Sequence, residues 1–198
     1  MIGKTVGIIG TGQIGLLTGK ILAMGFGCKV IAFDPYPNKE RAEAVGVSYV
    51  DQETLLRESD IISMHCPLTP ENKYMINEKN LALTKKGVVL INTSRGGLMD
   101  TRALIKYLKM DHIGALGMDV YEGEKEYFFR DRSRGIIHDD ELSRLMSFYN
   151  VVITGHQAFL SKEALSAIAK ASVEDLCSLG KGEPVQRIVR SRVNSVAK

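Results

Sequence analysis

The 198-residue chain carries 26 Lys and Arg against 23 Asp and Glu, a formal net charge of +3, with 44% hydrophobic and 25% charged residues. This is the composition of a globular protein with room for one substantial domain. The small net charge argues against nucleic acid or an anionic membrane as partner, and no apolar run approaches the ~20 residues needed to span a bilayer.

Taken along the chain, six short and almost continuously apolar runs read as strands: TVGIIG (5–10), CKVIAFD (28–34), DIISMHC (60–66), GVVLINT (87–93), IGALGMDV (113–120) and NVVITG (150–155). Continuous rather than alternating apolarity predicts strands covered on both faces, as in a parallel sheet between helices. Helical spacing fills the gaps. IGLLTGKILAMG (14–25) places Leu17, Ile21 and Leu22 on one face, and TRALIKYLKM (101–110) follows the N-cap Asp100 with Leu104, Ile105 and Leu108 inward. Residues 122–145 form a charged excursion around YFF that ends in a short helix near 139–146. Residues 161–180 predict a long amphipathic helix, capped by Ser161 and stopped by Gly180. Alternating strand and helix defines an α/β fold, a Rossmann-type doubly wound parallel sheet. The tail RIVRSRVNSVAK (187–198) is basic but lacks aromatic residues to stack on bases, and reads as solvated.

Cys28, Cys66 and Cys177 are scattered and odd in number, without a CxxC pair. They point to a reducing compartment, with the cytoplasm as the expected location, and to neither a disulfide framework nor a metal site.

The first strand runs into GTGQIG, with Gly10, Gly12 and Gly15 in the GxGxxG frame. A helix follows, and Asp34 closes the next strand about 20 residues further on, as a dinucleotide fingerprint requires. Gly10 permits the turn, Gly12 lets backbone approach a pyrophosphate, and Gly15 lets the helix pack on the sheet. Asp34 would accept hydrogen bonds from a ribose diol and repel a 2′-phosphate, which selects NAD over NADP.

Ligands of an open parallel sheet bind beyond the carboxyl ends of its strands. There the chain presents Pro67 and Asn72, then Arg95, then Asp119 with Glu122 and Glu124, then His156. A guanidinium can grip a carboxylate with two parallel hydrogen bonds, and an imidazole beside a carboxylate can exchange a proton near neutral pH. His65, His112 and His138 read as structural or solvated, and NTSRG lacks the frame of a nucleophile elbow.

The runs GIIGTGQIG, AFDPYP, HCPLTPEN, INTSRGGLMD, LGMDVYEGE and VVITGHQAF stand in the order of one family. Through them residues 3–160 resemble the D-isomer-specific 2-hydroxyacid dehydrogenases. The resemblance implies that Arg95 binds the substrate carboxylate and polarises its carbonyl, and that His156 is the general acid or base. The family's acidic partner stands five residues after the aspartate of DV, which selects Glu124 over Glu122. Asp119 would meet the nicotinamide side, Gln13 and Ile14 would cover the pyrophosphate, and Cys66, Pro67, Asn72, Thr93 and Ser94 would line the rest of the NAD groove beside Arg95. The long YFF-bearing stretch, Lys125 in place of a proline after Glu124, and Phe159 after the histidine resemble the members that convert pyruvate to D-lactate.

In this family the cofactor domain is inserted into a second domain, and the chain opens just before the first cofactor strand. The expectation is therefore a cofactor domain over 1–160, with residues 161–198 left over from a second domain whose N-terminal part is absent. Apolar residues of the long helix, such as Leu165, Ile168 and Leu176, would then be exposed. Family members commonly dimerise through the cofactor domain, which leaves a homodimer open. Two other functions stay open at the level of sequence: a non-catalytic NAD(H)-binding module, and a reductase of glyoxylate, hydroxypyruvate or branched 2-oxo acids.

Overall fold

A computed structural model describes residues 1–129, 131 and 134–185. The basic run 187–198 lies outside them, as do residues 130, 132 and 133 of the charged excursion. The strands are β1 (Thr5–Ile9), β2 (Lys29–Phe33), β3 (Val47–Tyr49), β4 (Ile61–Met64), β5 (Val88–Asn92), β6 (Ile113–Met118) and β7 (Val151–Ile153). They form one sheet in the order β3-β2-β1-β4-β5-β6-β7, parallel throughout. The direction of winding reverses between β1 and β4, so a crevice opens there at the carboxyl ends.

Side-chain alternation explains why the strands read as continuously apolar. Val6, Ile8, Val30 and Ala32 pack on one face, where Leu16 and Ala42 cover them. Ile9, Ile31, Ile62 and Leu90 pack on the other, under Leu55, Leu56, Leu81, Leu104, Leu108, Leu142 and Leu145. The first face is covered by α1 (Gln13–Lys20) and α2 (Lys39–Glu43), the second by α3 (Gln52–Glu58), α4 (Glu78–Leu81), α5 (Thr101–Lys109) and, after the short α6 (Glu124–Tyr127), α7 (Asp140–Met146). Side chains of Asn38, Asp51, Asn77, Asp100 and Asp139 accept from the first free N–H groups of α2, α3, α4, α5 and α7.

Two expectations are corrected. Among the described residues the sheet has seven strands, where the sequence suggested six. The strand not expected, β3, has only the three residues Val-Ser-Tyr and pairs with β2 at the sheet edge, too short a run to show a period. In α1 the buried residues are Gly15, Leu16 and Gly19, while Leu17 and Ile21 are 58% and 50% exposed. The glycines let the helix lie directly on the sheet: a Cβ on Gly19 would stand 2.7 Å from Val47 Cγ2. The helix then widens into a π turn over Ile21–Gly25, where Leu22 packs inward. Ile14, Leu17, Ile21 and Met24 are left as an exposed apolar stripe.

The chain divides into two compact units, Met1–Gln157 and Ala158–Lys198. The described part of the second is built on α8 (Lys162–Gly180), capped as expected by Ser161, whose Oγ accepts from the Ala164 N–H at 3.1 Å. Leu165, Ile168 and Leu176 are exposed on it. Among the described residues no helix is long and apolar enough to cross a membrane.

Candidate functional site

The crevice between β1 and β4 is a groove of about 860 Å³, in the size range of cofactor pockets. Gly10, Gly12, Asp34, Cys66, Pro67 and Asn72 line it, as expected from sequence, and so do Tyr36, His65 and Tyr74, which were not expected there. Gly10 has φ +92°, and a Cβ on it would stand 2.7 Å from the Cys66 nitrogen. A Cβ on Gly15 would stand 2.0 Å from the Gly10 carbonyl oxygen, so the turn closes tightly on itself. Gly12, by contrast, faces open space and caps α1 without a side-chain hydrogen bond. Bare N–H groups at a helix N-terminus, reached past a residue with no side chain, fit a pyrophosphate.

The Asp34 carboxylate is already anchored. Its Oδ2 accepts from the Thr11 N–H at 2.7 Å and the Thr11 hydroxyl at 2.9 Å, and its Oδ1 accepts from the Tyr36 N–H at 2.8 Å. On the other wall, Asn72 Oδ1 accepts from the Thr69 N–H and Nδ2 donates to the Pro67 carbonyl, both at 2.8 Å. The Ser94 hydroxyl donates to the Cys66 carbonyl, which ties the turn after β5 to the groove. Burial pushes the Cys66 thiol above its ordinary range, with the Asp34 charge adding to the effect. Burial also pushes His65 below its ordinary value, so this ring stays neutral, with Nε2 2.9 Å from Ser63 Oγ. Gln13, Ile14 and Thr93 are exposed and stand outside the groove lining.

The second cluster lies at the ends of β5, β6 and β7. The Asn92 side chain folds over the turn that carries Arg95, accepting from the Ser94 N–H at 3.0 Å and donating to the Arg95 carbonyl at 2.9 Å. Arg95 is exposed, and its Nη1 donates to the Ser94 carbonyl at 2.7 Å. The next residue, Gly96, presses on the loop after β6: a Cβ there would stand 2.2 Å from the Tyr121 carbonyl carbon and 2.3 Å from the Glu122 nitrogen. Backbone contact thus brings the Arg95 turn against the loop that leads into Glu124.

His156 Nδ1 lies 3.1 Å from Glu124 Oε1, while Glu124 Oε2 accepts from the Tyr121 N–H at 3.1 Å. An ionised carboxylate only accepts, so Nδ1 carries the proton in this pair and Nε2 is left as the second ring nitrogen. His156 itself has φ +55°, a left-handed conformation unusual for a residue with a side chain. Asp119, only 6% exposed, holds that conformation from both sides: its Oδ1 accepts from the Thr154 hydroxyl and from the Gln157 N–H. Phe129, the last residue of YFF, places its ring centroid 5.9 Å from that of His156.

The two acidic candidates after β6 have separate environments. Glu124 meets His156, whereas Glu122 accepts from the Tyr74 and Thr101 hydroxyls, each at 2.7 Å. The bond to Glu122 pushes the Tyr74 phenol up to about 12, so it remains a donor across the neutral range. His112 is structural, with Nε2 2.9 Å from Thr84 Oγ1 and its ring edge-on to Tyr107. Sequence reasoning passed over Thr11 and Tyr49, which stand behind Asp34. Thr11 lies inside the glycine motif, where the glycines and, through the resemblance, Gln13 and Ile14 drew the reading, and Tyr49 lies in the strand too short to see.

The sequence profile of the D-isomer specific 2-hydroxyacid dehydrogenase NAD binding domain matches residues 1–158. The D-lactate dehydrogenase of Escherichia coli K12 is 52% identical over 183 residues, 92% of this chain and 55% of that protein. The pyruvate reductase structure from Chlamydomonas reinhardtii superposes with a TM-score of 0.89 at 41% identity, covering 94% of this chain and 56% of that one. The D-lactate dehydrogenase from Lactobacillus jensenii, solved with NAD+, superposes with a TM-score of 0.86 at 35% identity, covering 94% and 56%. The chain therefore belongs to the D-isomer specific 2-hydroxyacid dehydrogenase family, through its NAD-binding domain, and spans about half the length of the relatives it matches.

Proposed function

We propose that this member of the D-isomer specific 2-hydroxyacid dehydrogenases carries the cofactor and proton-transfer machinery of a D-lactate dehydrogenase, reducing pyruvate with NADH. The observation that carries the reading is the His156–Glu124 pair at 3.1 Å, held at the sheet's carboxyl edge beside the Arg95 turn. It is supported by the relatives named above, and by YFF, whose Phe129 stands at the His156 ring.

The groove fits NAD, with Gly12 and the start of α1 toward the pyrophosphate and Asp34 toward the adenosine ribose. When bound, NADH supplies the hydride that reduces the 2-oxo carbon. Arg95 holds the substrate carboxylate in its fork and draws electron density toward the carbonyl oxygen. Protonated His156 gives its Nε2 proton to the oxygen as negative charge develops there, and is left neutral with Nδ1–H on Glu124. Glu124 accepts from Nδ1–H before and after transfer, which keeps Nε2 turned toward the reacting oxygen. Asp119 keeps the His156 loop in its left-handed turn and stands at the nicotinamide side. In the reverse direction neutral His156 takes the hydroxyl proton.

NADH consumption by the purified chain tests this with pyruvate, glyoxylate, hydroxypyruvate and a branched 2-oxo acid. Fastest turnover of pyruvate, reduced by about 10²–10⁴-fold in His156→Ala with unchanged NADH affinity, is the expected result. Faster turnover of another acid replaces the substrate. NADH binding without turnover of any acid calls for the N-terminal half of a D-lactate dehydrogenase relative to be supplied: turnover restored keeps the dehydrogenase reading, and none restored makes the chain an NAD(H)-binding module. The exposed stripe of Ile14, Leu17, Ile21 and Met24 supports a homodimer through the cofactor unit. Size exclusion of Leu17→Glu beside the unaltered chain checks it, and equal elution volumes refute it.

A further inference from the structure

Asp34 does not stand alone at the groove. Behind Thr11, the Tyr49 hydroxyl lies 2.7 Å from Thr11 Oγ1 and accepts from the Asn38 N–H at 3.2 Å. Proton counting gives these bonds a direction. The Thr11 hydroxyl has one proton, and the carboxylate has none to offer, so Thr11 donates to Asp34. Tyr49 must then donate to Thr11, and its oxygen remains free to accept from Asn38. The result is one run of donors, Asn38 N–H to Tyr49 O–H to Thr11 O–H to Asp34 Oδ2. Each bond polarises the next, and Thr11 is buried, so water does not readily take the place of its hydroxyl.

The run crosses three elements. Tyr49 pairs with Ala32 in the ladder, Asp34 follows β2, and Asn38 caps α2. Together with the Tyr36 N–H, these donors fix both oxygens of Asp34 before any ligand arrives. A carboxylate held in one rotamer binds a ribose diol without the entropy cost of ordering it, and cannot swing away from a 2′-phosphate. A mobile carboxylate would lose on both counts.

We infer that Thr11 and Tyr49 are positioning residues for cofactor choice: acting through Thr11, the Tyr49 hydroxyl holds the Asp34 carboxylate in place and so sets the preference for NADH over NADPH. This rests on Asp34 being the ribose-facing carboxylate.

The test is fluorescence titration of the chain with NADH and with NADPH. The variants are Tyr49→Phe, Thr11→Val, Thr11→Ser, Asp34→Ala and the double variant Asp34→Ala with Tyr49→Phe. Tyr49→Phe is expected to weaken NADH about 3–5-fold and Thr11→Val about tenfold, with NADPH changed less than about twofold. Thr11→Ser, which keeps the hydroxyl, is expected to stay within about twofold of the unaltered chain for both cofactors. In the Asp34→Ala background, Tyr49→Phe is expected to have no further effect on NADH. Equal losses for NADH and NADPH in Tyr49→Phe overturn the inference, since general loosening of the site would do that. So does a Tyr49→Phe effect of full size without Asp34. If Asp34→Ala alone leaves NADH affinity unchanged, the ribose role of Asp34 fails, and the positioning role falls with it by a distinguishable route.

Discussion

Gly96→Ala probes the contact that joins the two halves of the candidate site. Its Cβ would stand 2.2 Å from the Tyr121 carbonyl carbon, 2.3 Å from the Glu122 nitrogen and 2.6 Å from the Tyr121 oxygen. Ordinary contact begins at 3.4 Å, so the backbones must part by about 1.2 Å (3.4 − 2.2). All three of these nearest atoms are backbone, so the cost lies at the upper end of the ~1–3 kcal/mol seen for overpacking. The loss of glycine entropy in the unfolded chain returns ~0.4–1 kcal/mol. The net expectation is a loss of about 2 kcal/mol, or a melting temperature lower by ~4–8 °C for a unit of this size. Gly97→Ala is the control: the atoms nearest its Cβ belong to the Leu68 side chain, the first at 3.0 Å. That flexible end can move, so a change within about 1 kcal/mol is expected. Urea unfolding followed by circular dichroism measures both. Equal stabilities of the two variants would refute the backbone contact between the Arg95 turn and the Tyr121–Glu122 loop.

Gly12→Ala is expected to do the opposite, since a Cβ there meets nothing within 4 Å. Stability should fall by less than about 1 kcal/mol, the difference between Gly and Ala as an N-cap, while NADH binding weakens at least about tenfold. Tight NADH binding by this variant would remove the pyrophosphate from Gly12. Cys66 has a raised pKa and lines the groove, whereas Cys177 is exposed. Iodoacetamide at neutral pH should modify Cys177 first and Cys66 about tenfold more slowly, with NADH slowing only Cys66 further. Peptide mapping that finds Cys66 unprotected by NADH contradicts the groove assignment. Asp60 accepts from the Thr5 N–H at 2.8 Å and from Lys85 at 3.0 Å, and these bonds hold its pKa below the ordinary value, the Thr5 bond first. Its stabilisation is therefore complete above the ordinary carboxylate pKa near 4 and disappears as pH falls through the lowered folded value. Asp60→Asn should cost ~0.5–1 kcal/mol at pH 7, and the gap should close in acid. A gap that does not change with pH would show that the carboxylate charge contributes nothing.

Much of the molecule was legible in the chain because its signals are local. Six apolar runs, the glycine turn and the caps Asp100 and Ser161 each need only a few neighbouring residues to declare themselves, and each stands where it was expected. The strand ends offered Glu122, Glu124 and His156, and the family resemblance chose Glu124, which the fold places 3.1 Å from His156. Other features depend on partners distant in sequence. Leu17 and Ile21 have helical spacing suited to a core, yet buried Gly15 and Gly19 turn the opposite side of α1 to the sheet. Glu122 and Glu124 are two residues apart in the same charged run, and only the positions of Tyr74 and Thr101 send one of them to a structural bond. Tyr49 lies in a strand of three residues, and its value depends on Thr11, 38 residues away, and on the Asp34 carboxylate beyond it. Periodicity and motif spacing report what a segment does with its own backbone. Which polar side chains meet at the sheet's carboxyl edge is decided by strand order and close backbone approach, and these exist only once the chain has folded.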